Sequence, residues 1–256
     1  MLRMLYRDKH LVAIDKPAGL LVHRTTLATH ERRFALQMLR QQIGCRVHAV
    51  HRLDKGTSGV LLFAVDDEAA SLLSASFAQR QVTKRYLAVV RGHPPEAGEI
   101  DHPLRRRFDA VGSAGQAAAL PAQEAVTRYR RLATIELPYR VDLYPSSRYA
   151  LVELEPQSGR RHQLRRHLKH VAHPIIGDTT YGKGAHNRLF RALFACDRLL
   201  LACTELQLTH PLSGIPLTVT APLAPDFARL LDRLEWTAAV PPRWLPTSWH
   251  AAAETR

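Results

Sequence analysis

Residues 60–65, Val-Leu-Leu-Phe-Ala-Val, form a near-continuous apolar run with no polar alternation. A strand that is apolar at successive positions is buried on both faces, so the run demands a sheet flanked by further layers. The nine residues before it, His51-Arg52-Leu53-Asp54-Lys55-Gly56-Thr57-Ser58-Gly59, set one carboxylate in a basic, glycine-flanked loop. Taken alone, Asp54 is an ordinary turn residue, because an aspartate near glycine caps local backbone groups. The rest of the chain decides whether it is more than that.

Around this strand the pattern predicts one mixed α/β domain over residues 1–236 and a Pro/Ala-rich tail over 237–256. Residues 4–22 read as strand, turn, strand, with Lys16-Pro17-Ala18-Gly19 supplying the turn before Leu20-Leu21-Val22. Helical spacing of apolar residues covers 34–43, 67–81 and 226–236, and strands are expected at 85–90, 125–136, 148–155, 199–208 and 215–219. Residues 92–122 read as loops around a short strand, with 112–119 the least structured by composition. No internal repeat or linker interrupts the chain. With 256 residues it is long enough to bury a substantial core.

The charge is the unusual part of the composition. The net charge is +13, and 30 of the 36 basic residues are Arg. Arg carries a planar fork that pairs with phosphate and stacks on bases, so the balance points to a polyanionic partner, nucleic acid first. A generally Arg-rich proteome would give the same balance. The first eight residues place charges where a signal peptide needs an apolar core, and no run approaches the roughly 18–20 apolar residues of a membrane span. Cys45, Cys196 and Cys203 form neither an even disulfide set nor a CxxC metal pair. The expectation is a cytoplasmic protein without a membrane partner.

Residues 159–173 read as a basic helix. Leu164, Leu168 and Val171 make an apolar stripe, and Arg161, Arg165 and Lys169 make a second, charged one. Like charges at that spacing cost a few tenths of a kcal/mol per pair, so something anionic should face them: phosphates near the helix start, or a buried carboxylate. A solvated basic face is the plain alternative.

Four elements in this order resemble the RluA-type pseudouridine synthases, across residues 4–221. They are the His51-Arg52-Leu53-Asp54 loop, Lys84-Arg85-Tyr86, Ser158-Gly159-Arg160-Arg161-His162-Gln163-Leu164-Arg165-Arg166-His167, and His173-Pro174-Ile175-Ile176-Gly177-Asp178 running on to Tyr181-Gly182. The resemblance implies a mixed, mainly antiparallel central sheet flanked by helices, with an RNA-binding cleft. It also implies a monomer without the basic N-terminal S4 module of larger relatives. The segment from Tyr144 to Leu168 is most similar to a branch that modifies uridine-65 of tRNA; Ser158 departs from the common Thr, and residues 105–122 match nothing in it.

By the same resemblance Asp54 is the catalytic carboxylate, and Arg165 pairs with it and fixes its direction through a bidentate pair. Tyr86 stacks on the target uracil, and its phenol removes the C5 proton. Arg52 is the wedge that fills the space left by a flipped base, and His51 shapes the loop. Leu164 packs beneath the uracil, although periodicity alone makes it core. Lys84, Arg85, Arg160, Arg161 and Arg166 contact phosphates. The isomerisation oxidises nothing and loses no group, so no cofactor or metal is demanded. His162, His167 and His170 lack nearby acidic or Cys ligands, which argues against a zinc site. The same reaction on ribosomal RNA, and a non-catalytic RNA-binding role, remain as alternative readings.

Overall fold

The computed structural model describes residues 1–24, 31–105 and 121–246. Ten strands form one sheet: β1 (Arg3–Arg7), β2 (Leu11–Lys16), β3 (His48–Ala49), β4 (Ser58–Ala64), β5 (Thr83–Arg91), β6 (Ala97–Asp101), β7 (Val126–Leu137), β8 (Ser147–Pro156), β9 (Leu201–Thr209) and β10 (Pro216–Thr220). The main order is β1-β2-β4-β9-β5-β8-β7-β6. Strand β9 is the branch point: β5 lies along one side, while β4 and β10 share the other. The β4–β9 step is parallel, through Ser58↔Ala202 and Gly59↔Cys203, and the remaining pairings are antiparallel. Close approach at this step requires Gly59, whose φ is +106° and whose Cβ would fall 2.0 Å from the Cys203 carbonyl oxygen.

Among the described residues the α-helices are α1 (Ala35–Ile43), α2 (Asp67–Ala78), α3 (Gln163–His170), α4 (Gly184–Phe194) and α5 (Pro225–Arg233). Local chemistry starts and stops them. Asp66 caps α2 by accepting from Ala69 N at 2.8 Å, with Asp67 and Glu68 in the first turn. Pro225 opens α5, and α1 ends on Gly44 in the left-handed region.

Side-chain alternation divides the core between the two sheet faces. Tyr86, Ala88 and Val90 of β5 join a cluster with Leu39 of α1, Leu73 of α2 and Leu164 and Leu168 of α3. Leu87 and Val89 join a second cluster with Phe190 of α4 and Phe227 and Leu231 of α5. All seven residues of β4 are buried, as its apolar run requires.

The structure departs from the sequence expectations in four places. Leu20–Val22 form no strand; Leu21 makes a single bridge to Phe34. The basic helix begins at Gln163 rather than Gly159, because the Gln163 side chain pins the preceding residues as a turn. It accepts from Ser158 Oγ at 2.7 Å and Arg160 N at 3.0 Å, and donates to Val126 O at 3.0 Å. Helix α4 was not expected, since its opening Gly184-Ala185-His186-Asn187 carries no helix-start pattern. Finally, the described part of the expected tail, residues 237–246, packs onto the second cluster. Trp244 is fully buried there, with its indole N–H 3.3 Å from Glu205 Oε2. Residues 112–119 and 247–256 lie outside the described residues. Among the described residues, no helix is long and apolar enough to cross a membrane.

Candidate active site

The Asp54 loop is held from both sides. His51 accepts the Leu62 backbone N–H at Nε2 (2.9 Å) and stacks on Phe77, ring centroids 4.8 Å apart. Burial, with Lys84 nearby, pulls its pKa down to about 3, so the ring is neutral with its proton on Nδ1. Beneath the loop lies Lys16, fully buried, whose Nζ donates to the carbonyls of Leu20 (2.7 Å), Pro17 (2.9 Å) and Lys55 (3.2 Å). Gly19 N donates to the same Lys55 carbonyl at 2.8 Å. The Lys16–Gly19 turn thus supports the residue next to Asp54. Burial brings the Lys16 ammonium down to about 7 despite the opposing pull of Asp54.

Arg165 reaches this loop from α3, donating from Nη1 to Asp54 Oδ2 at 3.2 Å. Its bidentate edge goes elsewhere: Nε and Nη2 donate to Asp178 Oδ2 and Oδ1 at 2.7 and 2.8 Å. The expected bidentate pair with Asp54 is therefore corrected to a single bond, and Asp178 holds the guanidinium. Burial would raise the Asp178 pKa, but Arg165 and the backbone N–H groups of Tyr181 and Thr180 hold it below the usual carboxylate value. Arg165, the middle residue of the charged stripe, thus meets the buried Asp178 and the half-buried Asp54, one of the two solutions its charge required.

On the other side of Asp54, His162 Nε2 lies 3.8 Å from Oδ1. His162 sits in the left-handed region (φ 53°), a strained conformation for a residue with a Cβ, and its Nδ1 is 3.0 Å from Tyr181 Oη. Burial lowers its pKa, so a neutral imidazole faces the carboxylate. The Tyr181 ring also faces Arg165, 5.0 Å from the guanidinium carbon to the ring centroid.

These groups open into a cleft of about 700 Å³. Among the described residues, Arg52, Arg80, Lys84, Arg160, Arg161 and Arg165 line it, and Asp54 is the one carboxylate. Tyr86 and Leu164 form part of the wall, and Arg52 is exposed at its edge. Tyr86 stands opposite the buried Cys203 in the β5–β9 pairing. Burial, reinforced by Cys203, pushes the phenol well above its ordinary value, while burial pushes Cys203 up to about 12. Both are protonated at neutral pH.

The structure brings Asp54, Tyr86, Arg165, Arg52, His51, Lys84, Arg160, Arg161 and Leu164 to this one cleft. It does not bring Arg85. Strand alternation turns Arg85 to the opposite face, where it meets Glu153 (3.1 Å) and Glu205 (3.5 Å). Arg166 lines a smaller neighbouring pocket of about 360 Å³ together with Arg160 and Arg161. Lys16, His162, Asp178, Tyr181 and Cys203 carried no assigned site role in the sequence. Asp178 and Tyr181 stood inside a quoted motif, and Lys16 was legible only as turn chemistry. Among the described residues, no cluster of three or more His, Cys, Asp or Glu could hold a metal ion.

Comparison with known proteins agrees with this geometry. Residues 10–170 match the family model described as RNA pseudouridylate synthase. The chain is 45% identical over 240 residues to the tRNA pseudouridine synthase C of Vibrio vulnificus, covering 94% of this chain and 98% of that one. It is 48% identical over 236 residues to the protein of the same name from Haemophilus ducreyi, covering 92% and 96%. Among solved structures, Human RNA Pseudouridylate Synthase Domain Containing 4 superposes with a TM-score of 0.66 at 32% identity, over 91% of this chain and 93% of that one. Human RNA Pseudouridylate Synthase Domain Containing 1 gives 0.67 at 26% identity, over 94% and 96%. With an aspartate and an arginine paired in a basic cleft and matches over most of its length, the chain belongs to the RNA pseudouridylate synthase family.

Proposed function

We propose that this protein converts uridine to pseudouridine in tRNA, at uridine-65, with Asp54 as the catalytic carboxylate. The observation that carries the reading is Asp54 itself, among the described residues the one carboxylate in a cleft of six cations, held by Arg165 at 3.2 Å. The tRNA substrate is supported by the relatives, which bear the name tRNA pseudouridine synthase C. In this reading the protein is a cytoplasmic monomer with RNA as its partner. Its catalytic domain, expected over residues 1–236, extends through the packed segment to Pro246.

The reaction breaks the N1–C1′ bond, turns the uracil and joins C5 to C1′. The C5 hydrogen leaves as a proton and N1 gains one, so the balance needs no redox partner. A uridine in a stem must first leave the stack, at a cost of a few kcal/mol. Arg52 fills the vacated space, and Lys84, Arg160, Arg161 and Arg166 meet the phosphates, whose binding offsets that cost. Arg85, tied to Glu153 and Glu205, takes no part in RNA contact. The flipped uracil lies between the Tyr86 ring and Leu164, with the Asp54 carboxylate at C1′.

Arg165 and Asp178 work as a unit. Asp178 takes the bidentate edge of the guanidinium, so Arg165 presents a single N–H to Asp54. One Asp54 oxygen is thereby fixed, and the other stays directed toward His162 and the cleft. Tyr86 is protonated in the free protein, so in the last step its hydroxyl takes up the C5 proton as it passes its own to the neighbouring Asp54 carboxylate.

Pseudouridine mapping in a strain lacking the gene tests the substrate. The expected result is loss of pseudouridine at tRNA position 65, restored by the wild-type gene and not by Asp54→Asn. Loss confined to ribosomal RNA would refute the tRNA assignment, and an unchanged map would refute the enzymatic one.

A further inference from the structure

His162 stands at the N-cap of α3, a position where a short polar side chain ordinarily caps the first turn. Here the imidazole makes no cap bond, and the backbone lies in the left-handed region at φ 53° and ψ 28°. That conformation is unfavourable for a residue with a Cβ, so the surroundings must hold it. With the backbone so set, the ring lines the active cleft, and its Nε2 lies 3.8 Å from Asp54 Oδ1, the oxygen that Arg165 leaves unbonded.

The tautomer follows from the two neighbours of the ring. Nδ1 is 3.0 Å from Tyr181 Oη, with the two rings edge to face, centroids 5.6 Å apart. A neutral imidazole carries one N–H. Were it on Nδ1, the Nε2 lone pair would face the lone pairs of Asp54 Oδ1 and repel them. The Tyr181 hydroxyl therefore donates to Nδ1, and the ring proton sits on Nε2, toward Asp54. Burial and the cations Arg165 and Arg161 oppose a second proton, and they outweigh Asp54 and Asp178, which favour one. Tyr181 is itself fixed by Asp178, whose Oδ1 accepts its backbone N–H at 2.9 Å. One buried carboxylate thus organises two supports, Arg165 directly and His162 through Tyr181.

Building on the reading of Asp54 as the catalytic carboxylate, we propose that His162 is a positioning residue whose Nε2–H closes onto Asp54 Oδ1 once the nucleoside fills the cleft. Catalytic hydrogen bonds that are long in a free site tighten in the substrate complex. Arg165 then holds Oδ2 and His162 holds Oδ1, which fixes the plane of the carboxylate and leaves each oxygen a lone pair for the substrate. Tyr181 acts one step further out, by setting the tautomer.

The test is tritium release from full-length tRNA labelled at uridine C5, with kcat, KM and the urea midpoint measured for each variant. A misdirected reacting group loses rate, so His162→Ala should lower kcat by about tenfold to about a hundredfold and leave KM within about twofold. His162→Gln offers an amide N–H in place of Nε2–H and should recover most of that loss. His162→Gly carries no Cβ in the left-handed region, so its urea midpoint should equal or exceed that of His162→Ala while its kcat is equally low. Tyr181→Phe keeps the ring beside Arg165 and removes the donor to Nδ1. It should lower kcat about fivefold in the wild-type background and less than about twofold in the His162→Gln background, where no tautomer needs fixing. Equal Tyr181→Phe losses in the two backgrounds would overturn the proposal. So would a His162→Gln variant as slow as His162→Ala, or a His162→Ala effect confined to KM. Isomerisation by Asp54→Asn would instead overturn the functional reading on which the proposal rests.

Discussion

Asp178→Asn removes one charge and leaves the shape almost unchanged, and its consequences follow from four distances. The carboxylate accepts from Arg165 Nε and Nη2 at 2.7 and 2.8 Å and from Thr180 N and Tyr181 N, each at 2.9 Å, with no exposure of its side chain. An amide oxygen can keep part of this set, but an amide N–H would oppose an Arg165 N–H. Breaking a buried ion pair from one side costs about 3–5 kcal/mol, because the surviving charge is left without its partner. For a chain of this size each kcal/mol lowers Tm by ~2–4 °C, which places the expected drop at roughly 10 °C. Arg165 retains Asp54 and will turn its bidentate edge toward it, drawing the carboxylate from its working position. A fall in kcat of at least tenfold is expected, equivalent to about 1.4 kcal/mol of transition-state stabilisation. The assay is a double-mutant cycle of Asp178→Asn with Arg165→Met by urea unfolding, alongside kcat on tRNA. The structure demands a coupling energy above ~2 kcal/mol; a value below ~0.5 kcal/mol would refute the unit formed by Arg165 and Asp178.

Two further outcomes test the surroundings of the site. Lys16→Met withdraws donors from three carbonyls under the Asp54 loop, and urea unfolding should show a loss of about 2–4 kcal/mol with reduced kcat; unchanged values for both would contradict the anchoring role. His167 is fully buried, within 3.0 Å of both Thr127 Oγ1 and His102 O, and burial lowers its pKa to about 4 from an unfolded value of 6.5. Between those values the unfolded chain binds the extra proton, so stability is full above pH 6.5 and is lost as pH falls toward 4, by on the order of 3 kcal/mol. His167→Gln should flatten that part of the pH–stability curve, and an equally steep curve would exclude this source.

The elements legible in the sequence are those whose signal is local. The apolar run at 60–65 could only be a doubly covered strand, and apolar spacing from residue 67 announced α2. The start of α3 was not legible, because the Gln163 side chain that delays it bonds to Val126, far back in the chain. Likewise, the sequence reading pairs Arg165 with Asp54 alone, and only the fold brings Asp178 to its forked edge. Trp244 reads as part of a Pro-rich tail until its indole meets Glu205. The orientation of Arg85 was available in principle: next to a cleft-facing Tyr86 on a strand, it belongs on the other face. Cys203 beside Tyr86 depends on the β5–β9 pairing, which no local pattern encodes.

The most direct test of the central claim is tritium release from tRNA labelled at uridine C5, comparing wild type, Asp54→Asn and Arg165→Met with RNA affinity measured in parallel. The account predicts release by the wild-type protein, none by Asp54→Asn and little by Arg165→Met, with affinity of the Asp54 variant within a few-fold of wild type. Undiminished release by Asp54→Asn would contradict the assignment of Asp54 as the catalytic carboxylate.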